Sequence, residues 1–369
     1  MLMANKKVLL NHQGHSERGA AVERPTVLVI ISLTILLCQL SCPVFGAVIW
    51  QDEFNGPNLD TNIWTTEVGG HGWGNGELQY YTSRIDGTAN ANAYIESGKL
   101  VIEARREGYG GKQFTSARLI SKNNLTFKYG TIEARIKMAD LANGLWPAFW
   151  LLGVNIDEVS WPDCGEIDIV EMGSAGAISA GTVNRKVDAT AHWENGGGYA
   201  GYGLSDYTAT AAYNDYHLFK VTWTPTLITA YLDGSAFWWF DISGGAGSDL
   251  EEFHEHMFII LNMAVGGWNY VEITNPALIT ALPTAGSSEK MYIDWIRISD
   301  NAWTELWNGS DGDFDNDGNA DMVDFSILAK YWLETNCGSL GDCENADVDD
   351  DGDVDFYDLK VLMSDWLLL

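Results

Sequence analysis

The chain has 369 residues, 46% of them hydrophobic, with 51 acidic against 21 basic side chains and a formal net charge of −30. That charge sets aside nucleic acid and anionic membrane surfaces as partners. The 16 Trp, 15 Tyr and 39 Gly suit a β-rich, loop-rich protein better than a helical bundle, and the length predicts one large domain plus a small one.

Lys6, Lys7, Arg18 and Arg24 precede the apolar run Thr26–Leu37, and Val44-Phe45-Gly46 follows as a small-residue site. The run falls short of the roughly 18 to 20 residues of a membrane span, so residues 1–46 read as a signal peptide cleaved after Gly46, and the protein is expected outside the cell. Cys42 after Leu40-Ser41 leaves a lipoprotein anchor as the alternative. Cleavage leaves Cys164, Cys337 and Cys343. Cys337 and Cys343 are close in a loop-like stretch and are expected to form a disulfide. Cys164 reads as a small buried thiol rather than a nucleophile.

From Val48 to Ser299 apolar and polar residues alternate in Lys99–Ala104, Gly130–Lys137, Phe219–Trp223, Ile228–Leu232 and Met291–Ile298, punctuated by turn residues. Leu232-Asp233-Gly234 signals a hairpin, and the nearly unbroken apolar run Phe258–Val265 reads as a buried strand. With no helical run of ten residues and no βαβ alternation, residues 47–299 are expected to fold as a two-sheet antiparallel sandwich.

Within that region lies Gly165-Glu166-Ile167-Asp168-Ile169-Val170-Glu171. In a regular strand Glu166 and Asp168 share a face and Glu171 points the other way. A β-bulge between Asp168 and Glu171 would restore the parity and turn all three acids into one cleft. Like charges and burial would then raise at least one pKa, giving an ionised nucleophile beside a protonated acid. Two Glu carboxyls about 5–5.5 Å apart suit a retaining glycosidase. A calcium site or a solvated strand face is the plainer alternative.

Residues 300–312 are polar and read as a linker. Then Asp313–Asp324 (DFDNDGNADMVD) and Asp347–Asp358 (DVDDDGDVDFYD) repeat one pattern, each followed by an apolar helical stretch, Phe325–Leu333 and Leu359–Leu367. Each loop has Gly at position six and oxygen-bearing residues around it: Asp313, Asp315, Asp317, Asn319, Asp321 and Asp324, then Asp347, Asp349, Asp351, Asp353, Asp355 and Asp358. This is calcium-loop chemistry. The acidic tail holds close to half of the net charge and should repel itself without metal. The duplicated pattern over 313–369 resembles a dockerin domain, which implies a cohesin-like partner. Met322, Val323, Phe356 and Tyr357 stand at the docking positions, where cellulosomal dockerins often have Ser or Thr.

The acidic strand resembles the E-x-D-x-x-E signature of glycoside hydrolase family 16. Asp52-Glu53-Phe54, Gly76–Thr82 (GELQYYT), Ser116–Leu119 (SARL), Tyr129-Gly130, Gly144–Gly153 (GLWPAFWLLG), Asn262–Gly267 (NMAVGG) and Tyr292–Ile298 extend the likeness to laminarinase-type endo-β-1,3-glucanases over about 250 residues. The resemblance implies an all-β, concanavalin-like β-jelly roll with a concave cleft, followed by the small α-helical calcium-loop domain. It also implies roles: Glu166 as nucleophile, Asp168 tuning it, Glu171 as general acid/base. Trp146, Trp161, Asn75, Glu77, Gln79, Arg118, His192 and Trp268 would bind sugar. Glu53, the Gly98 carbonyl and Asp294 would hold a structural Ca²⁺ on the convex side. No organic cofactor is implied, and the catalytic domain is expected to be monomeric. The substrate expected is laminarin-like β-1,3-glucan. Mixed-linkage glucan, agarose or carrageenan, and a non-catalytic glucan-binding lectin, are the alternatives, with transglycosylation open to any retaining enzyme.

Overall fold

The computed structural model describes residues 46–244, 250–307 and 322–335, and also 337, 343, 346–348, 353–356, 358, 359, 362 and 363. Two twisted sheets face each other across one core. The first has ten strands. It runs Ser235–Asp241, Leu227–Leu232, His217–Trp223, Gly130–Lys137, Ser288–Ser299, Leu100–Arg105, Phe114–Ser116 and Gln79–Tyr81, with Val48–Asp52 beside Ser288–Ser299 and Ala93–Ile95 beside Leu100–Arg105. The second has nine. It runs Tyr199–Tyr207, Lys186–Glu194, Glu166–Glu171, Leu145–Gly153, Met257–Val265, Arg118–Ile120 and Thr65–Thr66, with Thr126–Lys128 and Glu305–Trp307 alongside. This is the all-β two-sheet sandwich expected from the alternation and the jelly roll that the resemblance implies, antiparallel except where Gln79–Tyr81 pairs with Phe114–Ser116.

Local sequence explains why each strand buries the face it does. Gly130–Lys137 alternates buried and half-buried residues without a break, as a strand with one solvated face must. Met257–Val265 is buried at every position. Its odd-numbered residues join the main core, whereas Phe258, Asn262 and Ala264 face the other way and line a cleft. Asp233 and Gly234, both with positive φ (49° and 83°), close the hairpin between Leu227–Leu232 and Ser235–Asp241, the backbone that a two-residue turn between right-twisted strands requires.

The expected bulge is present. Along Lys186–Glu194, Asp168 pairs with Thr190 and Glu171 with Asp188, so three steps on one strand match two on the other. On the opposite side Asp168 pairs with Trp150 and Val170 with Phe149, which leaves Ile169 as the extra residue. Ile167, Ile169 and Val170 all pack into the core.

Two expectations need correction. The segment read as a linker, 300–312, begins inside the sandwich: Glu305–Trp307 is a strand paired with Thr126–Lys128. Lys128 Nζ meets Glu305 Oε2 at 2.6 Å, and Asn301 Nδ2 donates to the Trp223 carbonyl at 2.7 Å. Three residues held by long-range pairing show no alternation of their own. The first tail helix runs Met322–Tyr331 rather than Phe325–Leu333, because the carboxylate closing the loop, Asp324, sits in the helix's first turn, where the dipole favours an acid. Cys337 is bonded to Cys343, and both pack with Leu328, Val354 and Leu362. Residues 1–45, 308–321, Asp349 and Asp351 lie outside the described residues, and with them nearly all of the segment expected to be a signal peptide and most of the expected first calcium loop.

Candidate active site

The outer face of the nine-stranded sheet carries a cleft of about 900 Å³ whose lining comes from six neighbouring strands and the loops that join them. Glu166, Asp168 and Glu171 all line it. Ile169 is what makes this geometry: the extra residue sends two successive apolar side chains into the core and returns Glu171 to the cleft side.

Each of the two glutamates has its own indole donor. The Trp161 indole Nε1 donates to Glu166 Oε2 at 2.9 Å, and the Trp146 Nε1 donates to Glu171 Oε1 at 2.8 Å. His192 Nε2 lies 3.0 Å from Asp168 Oδ2 and 3.9 Å from Glu166 Oε1. Trp146 is itself stacked on Tyr270, with ring centroids 4.9 Å apart. The Tyr270 hydroxyl donates to Asp188 Oδ2 at 2.7 Å, and Lys186 Nζ holds Asp188 Oδ1 at 2.6 Å.

Burial pushes all three acids upward, since the charged forms lose water. For Glu166 and Glu171 the next cause is the Asp168 charge. For Glu166 the rise is opposed by the His192 ring when that ring carries a charge, by the Trp161 N–H and by Arg118. Glu171, held well above the carboxylate range, has His192 and the Trp146 N–H on its side and two carboxylate charges against it. Three charges cannot coexist here at low cost, so at least one of the three carboxyls keeps its proton to higher pH than an ordinary carboxylate. One carboxylate is thereby poised to ionise while its neighbour keeps an acidic proton, which is what attack and leaving-group protonation on one bond demand. Cys164 is buried with its thiol pushed up to about 12 by burial, which removes it as a nucleophile.

Of the residues expected to bind sugar, Trp146, Trp161, Asn75, Glu77, Arg118 and His192 line the cleft. Arg118 lies between the faces of Trp73 and Trp150 and is ion-paired with Glu67, so it helps to build the cleft floor. Gln79 is corrected: it is fully buried, donating to Glu77 and accepting the Val265 N–H at 2.8 Å. It serves the cleft only by holding Glu77. Trp268 is 61% exposed at the side of the cleft, its backbone N–H donating to the carbonyl of the lining residue Asn75 at 2.8 Å, and its ring lies over Gly76, where a Cβ would come within 2.2 Å of it. The sequence pattern missed Tyr199, Tyr270, Asn262 and Asp188. Asn262 stood in the NMAVGG match without a role, and the others had no local signal, since they reach the cleft only through the order of the strands.

The calcium expected at Glu53, Gly98 and Asp294 does not fit this donor set. Lys99 Nζ is 3.3 Å from Asp294 Oδ1, Arg135 holds Asp294 Oδ2, and Arg297 NH2 is 2.7 Å from Glu53 Oε1. Three cations already take the charge a divalent ion would neutralise. In the tail the donor set suits Ca²⁺: Asp324, Asp347 and Asp358 are buried carboxylates in an acidic unit, and Asp358 closes the second loop by accepting the N–H groups of Val348 and Asp355, each at 2.7 Å. Hard oxygen donors gathered at that density call for a hard cation.

A family model described as "Beta-porphyranase A-D, GH16 domain" matches residues 50–299, and one described as "Dockerin type I domain" matches 311–365. The clotting factor G alpha subunit of Tachypleus tridentatus is 36% identical over 70% of this chain, which spans only 34% of that relative. Among solved structures, a Bacteroides ovatus GH16 protein of a mixed-linkage-glucan locus, in complex with a G4G4G3G product, is 33% identical. It covers 68% of this chain and 100% of its own, with a TM-score of 0.60. The laminarinase catalytic domain of Thermotoga maritima is 36% identical, covering 70% of this chain and 99% of its own, with a TM-score of 0.57.

Proposed function

The chain belongs to glycoside hydrolase family 16 and carries a dockerin type I domain at its C-terminus, and from that membership we propose that it is an exported, retaining endo-β-1,3-glucanase. Glu166 attacks the anomeric carbon while Glu171 protonates the leaving oxygen. Asp168, held by His192, tunes the charge of Glu166. A glycosyl-enzyme forms on Glu166, and Glu171 then takes a proton from the water that releases it, so the product keeps the β configuration. The observation behind this reading is the bulge at Ile169, which puts the three acids on one cleft face with separate indole donors on the two Glu. Endo attack is supported by a groove that crosses six strands, roughly 24 Å at ordinary strand spacing.

The choice of a neutral glucan rests on charge. The cleft is lined by seven carboxylates, counting Glu67, Glu77, Asp157 and Asp188 with the three central acids, against Arg118, Lys122 and Lys186. Each of those cations is already paired, with Glu67, Asp157 and Asp188. A sulfated galactan would bring anions into a negative groove with no unpaired cation among its described lining residues, so the name of the matching family model does not transfer as a substrate. Mixed-linkage glucan is the second reading, favoured by the product bound in the Bacteroides structure. Reducing-end assays on laminarin, lichenan and porphyran test the choice. Laminarin is expected to be cleaved fastest and porphyran by less than a hundredth of that rate. Preferential cleavage of porphyran would overturn the reading.

The N-terminal 46 residues direct export, and the C-terminal unit, with one Ca²⁺ in each loop, joins the monomeric catalytic domain to a cohesin-like partner. Exposed Met322, Val323 and Phe356 give that contact an apolar character.

A further inference from the structure

Tyr199 opens the edge strand of the nine-stranded sheet, at the end of the hairpin formed by residues 194–199. Its ring is stacked against Trp161 at 5.3 Å and against His192 at 5.7 Å. Its hydroxyl lies 2.8 Å from His192 Nδ1, and the opposite nitrogen, Nε2, lies 3.0 Å from Asp168 Oδ2. The space is kept open by Gly201, which pairs with His192. A Cβ there would stand 2.5 Å from the Tyr199 hydroxyl oxygen and 3.1 Å from His192 Nδ1. The hairpin is fixed from below, since buried Glu252 accepts the Glu194 N–H at 3.0 Å.

We propose that Tyr199 is a positioning residue whose hydroxyl donates to Nδ1 of His192, fixing the tautomer that keeps the proton on Nε2, the nitrogen 3.0 Å from Asp168 Oδ2, and so favouring the charged form of the Asp168–Glu166 pair. The inference rests on the retaining reading above for its link to rate. In its neutral form an imidazole has one proton for two nitrogens, and the partner of one nitrogen decides what the other can do. Burial and the three nearby carboxylates push the Tyr199 phenol upward, so it stays a donor. The titratable groups facing the imidazole are Glu166, Asp168 and Glu171 from the acidic strand and Tyr199 from the edge strand.

Tyr199→Phe in the full-length protein keeps the stack and deletes the donor, and Gly201→Ala displaces the hydroxyl while keeping it. The direct readout is the pair of ¹⁵N resonances of His192, recorded without substrate. The wild type is expected to show the Nε2–H tautomer and both variants a mixture. On laminarin the variants are expected to lose about tenfold in kcat at neutral pH with KM within about twofold, and the acidic limb of the pH profile to move up by about half a unit. The sign follows from the chemistry: a carboxylate pair that loses a donor holds its proton to higher pH. Unchanged nitrogen resonances in Tyr199→Phe would overturn the proposal. A wild type that shows the expected tautomer but cleaves no glucan would overturn the retaining reading instead.

Discussion

Glu166→Gln is expected to lower kcat on β-glucan by about 10⁴-fold while leaving the protein folded and more stable than the wild type at pH 8. The loss of rate follows from removing the atom that bonds to the sugar. The gain in stability follows from linkage. In the folded protein Glu166 is pushed from 4.5 up to about 8, first by burial and then by the Asp168 charge. The folded state therefore prefers the protonated carboxyl. No penalty exists below about pH 4.5, and it grows as pH rises toward 8, where the buried carboxylate must ionise beside another. Gln still accepts the Trp161 N–H and carries no charge, so the melting-temperature advantage of the variant should widen from pH 4.5 to pH 8. Thermal melts at both pH values, paired with reducing-end assays, check the two halves separately. A variant that is inactive and also less stable at pH 8 would mean that Glu166 is a structural residue.

Chelating calcium from the full chain is expected to unfold the C-terminal unit and leave the sandwich standing. Asp324, Asp347 and Asp358 are buried there, in a segment whose acidic residues far outnumber its basic ones, and without metal that charge opposes folding. The Cys337–Cys343 disulfide closes a short loop, six residues apart in sequence, and so cannot substitute for the ion. The catalytic unit should shift by no more than a few degrees, because Lys99, Arg135 and Arg297 already neutralise Asp294 and Glu53. Limited proteolysis with a chelator should cut after about residue 312, with the helix Met322–Tyr331 lost from the circular dichroism spectrum. Resistance of the tail to both would refute the calcium loops. A large fall in the melting temperature of the sandwich would restore the structural calcium rejected on charge.

How far the site was legible depended on whether the signal was local. The sandwich could be read from alternation in Gly130–Lys137 and from the turn at Asp233-Gly234, since both are properties of neighbouring residues. The bulge could be inferred because three acids among apolar residues had to share an environment, and a regular strand offered none. Glu305–Trp307 was hidden, because nothing in three residues announces pairing with a strand nearly 180 positions earlier. Gln79 misled because the resemblance matches positions along the chain, whereas only the fold decides which side of the backbone a side chain occupies. Tyr199 was overlooked because its role depends on Gly201 and His192 across a hairpin, a relation visible only in register.

The most direct test is the anomeric configuration of the first product, followed by proton NMR during hydrolysis of laminarin. Retention predicts that the β-anomer appears first and mutarotates afterwards to the equilibrium mixture. An α-anomer at the earliest time points would mean that water, rather than the Glu166 carboxylate, attacks the sugar.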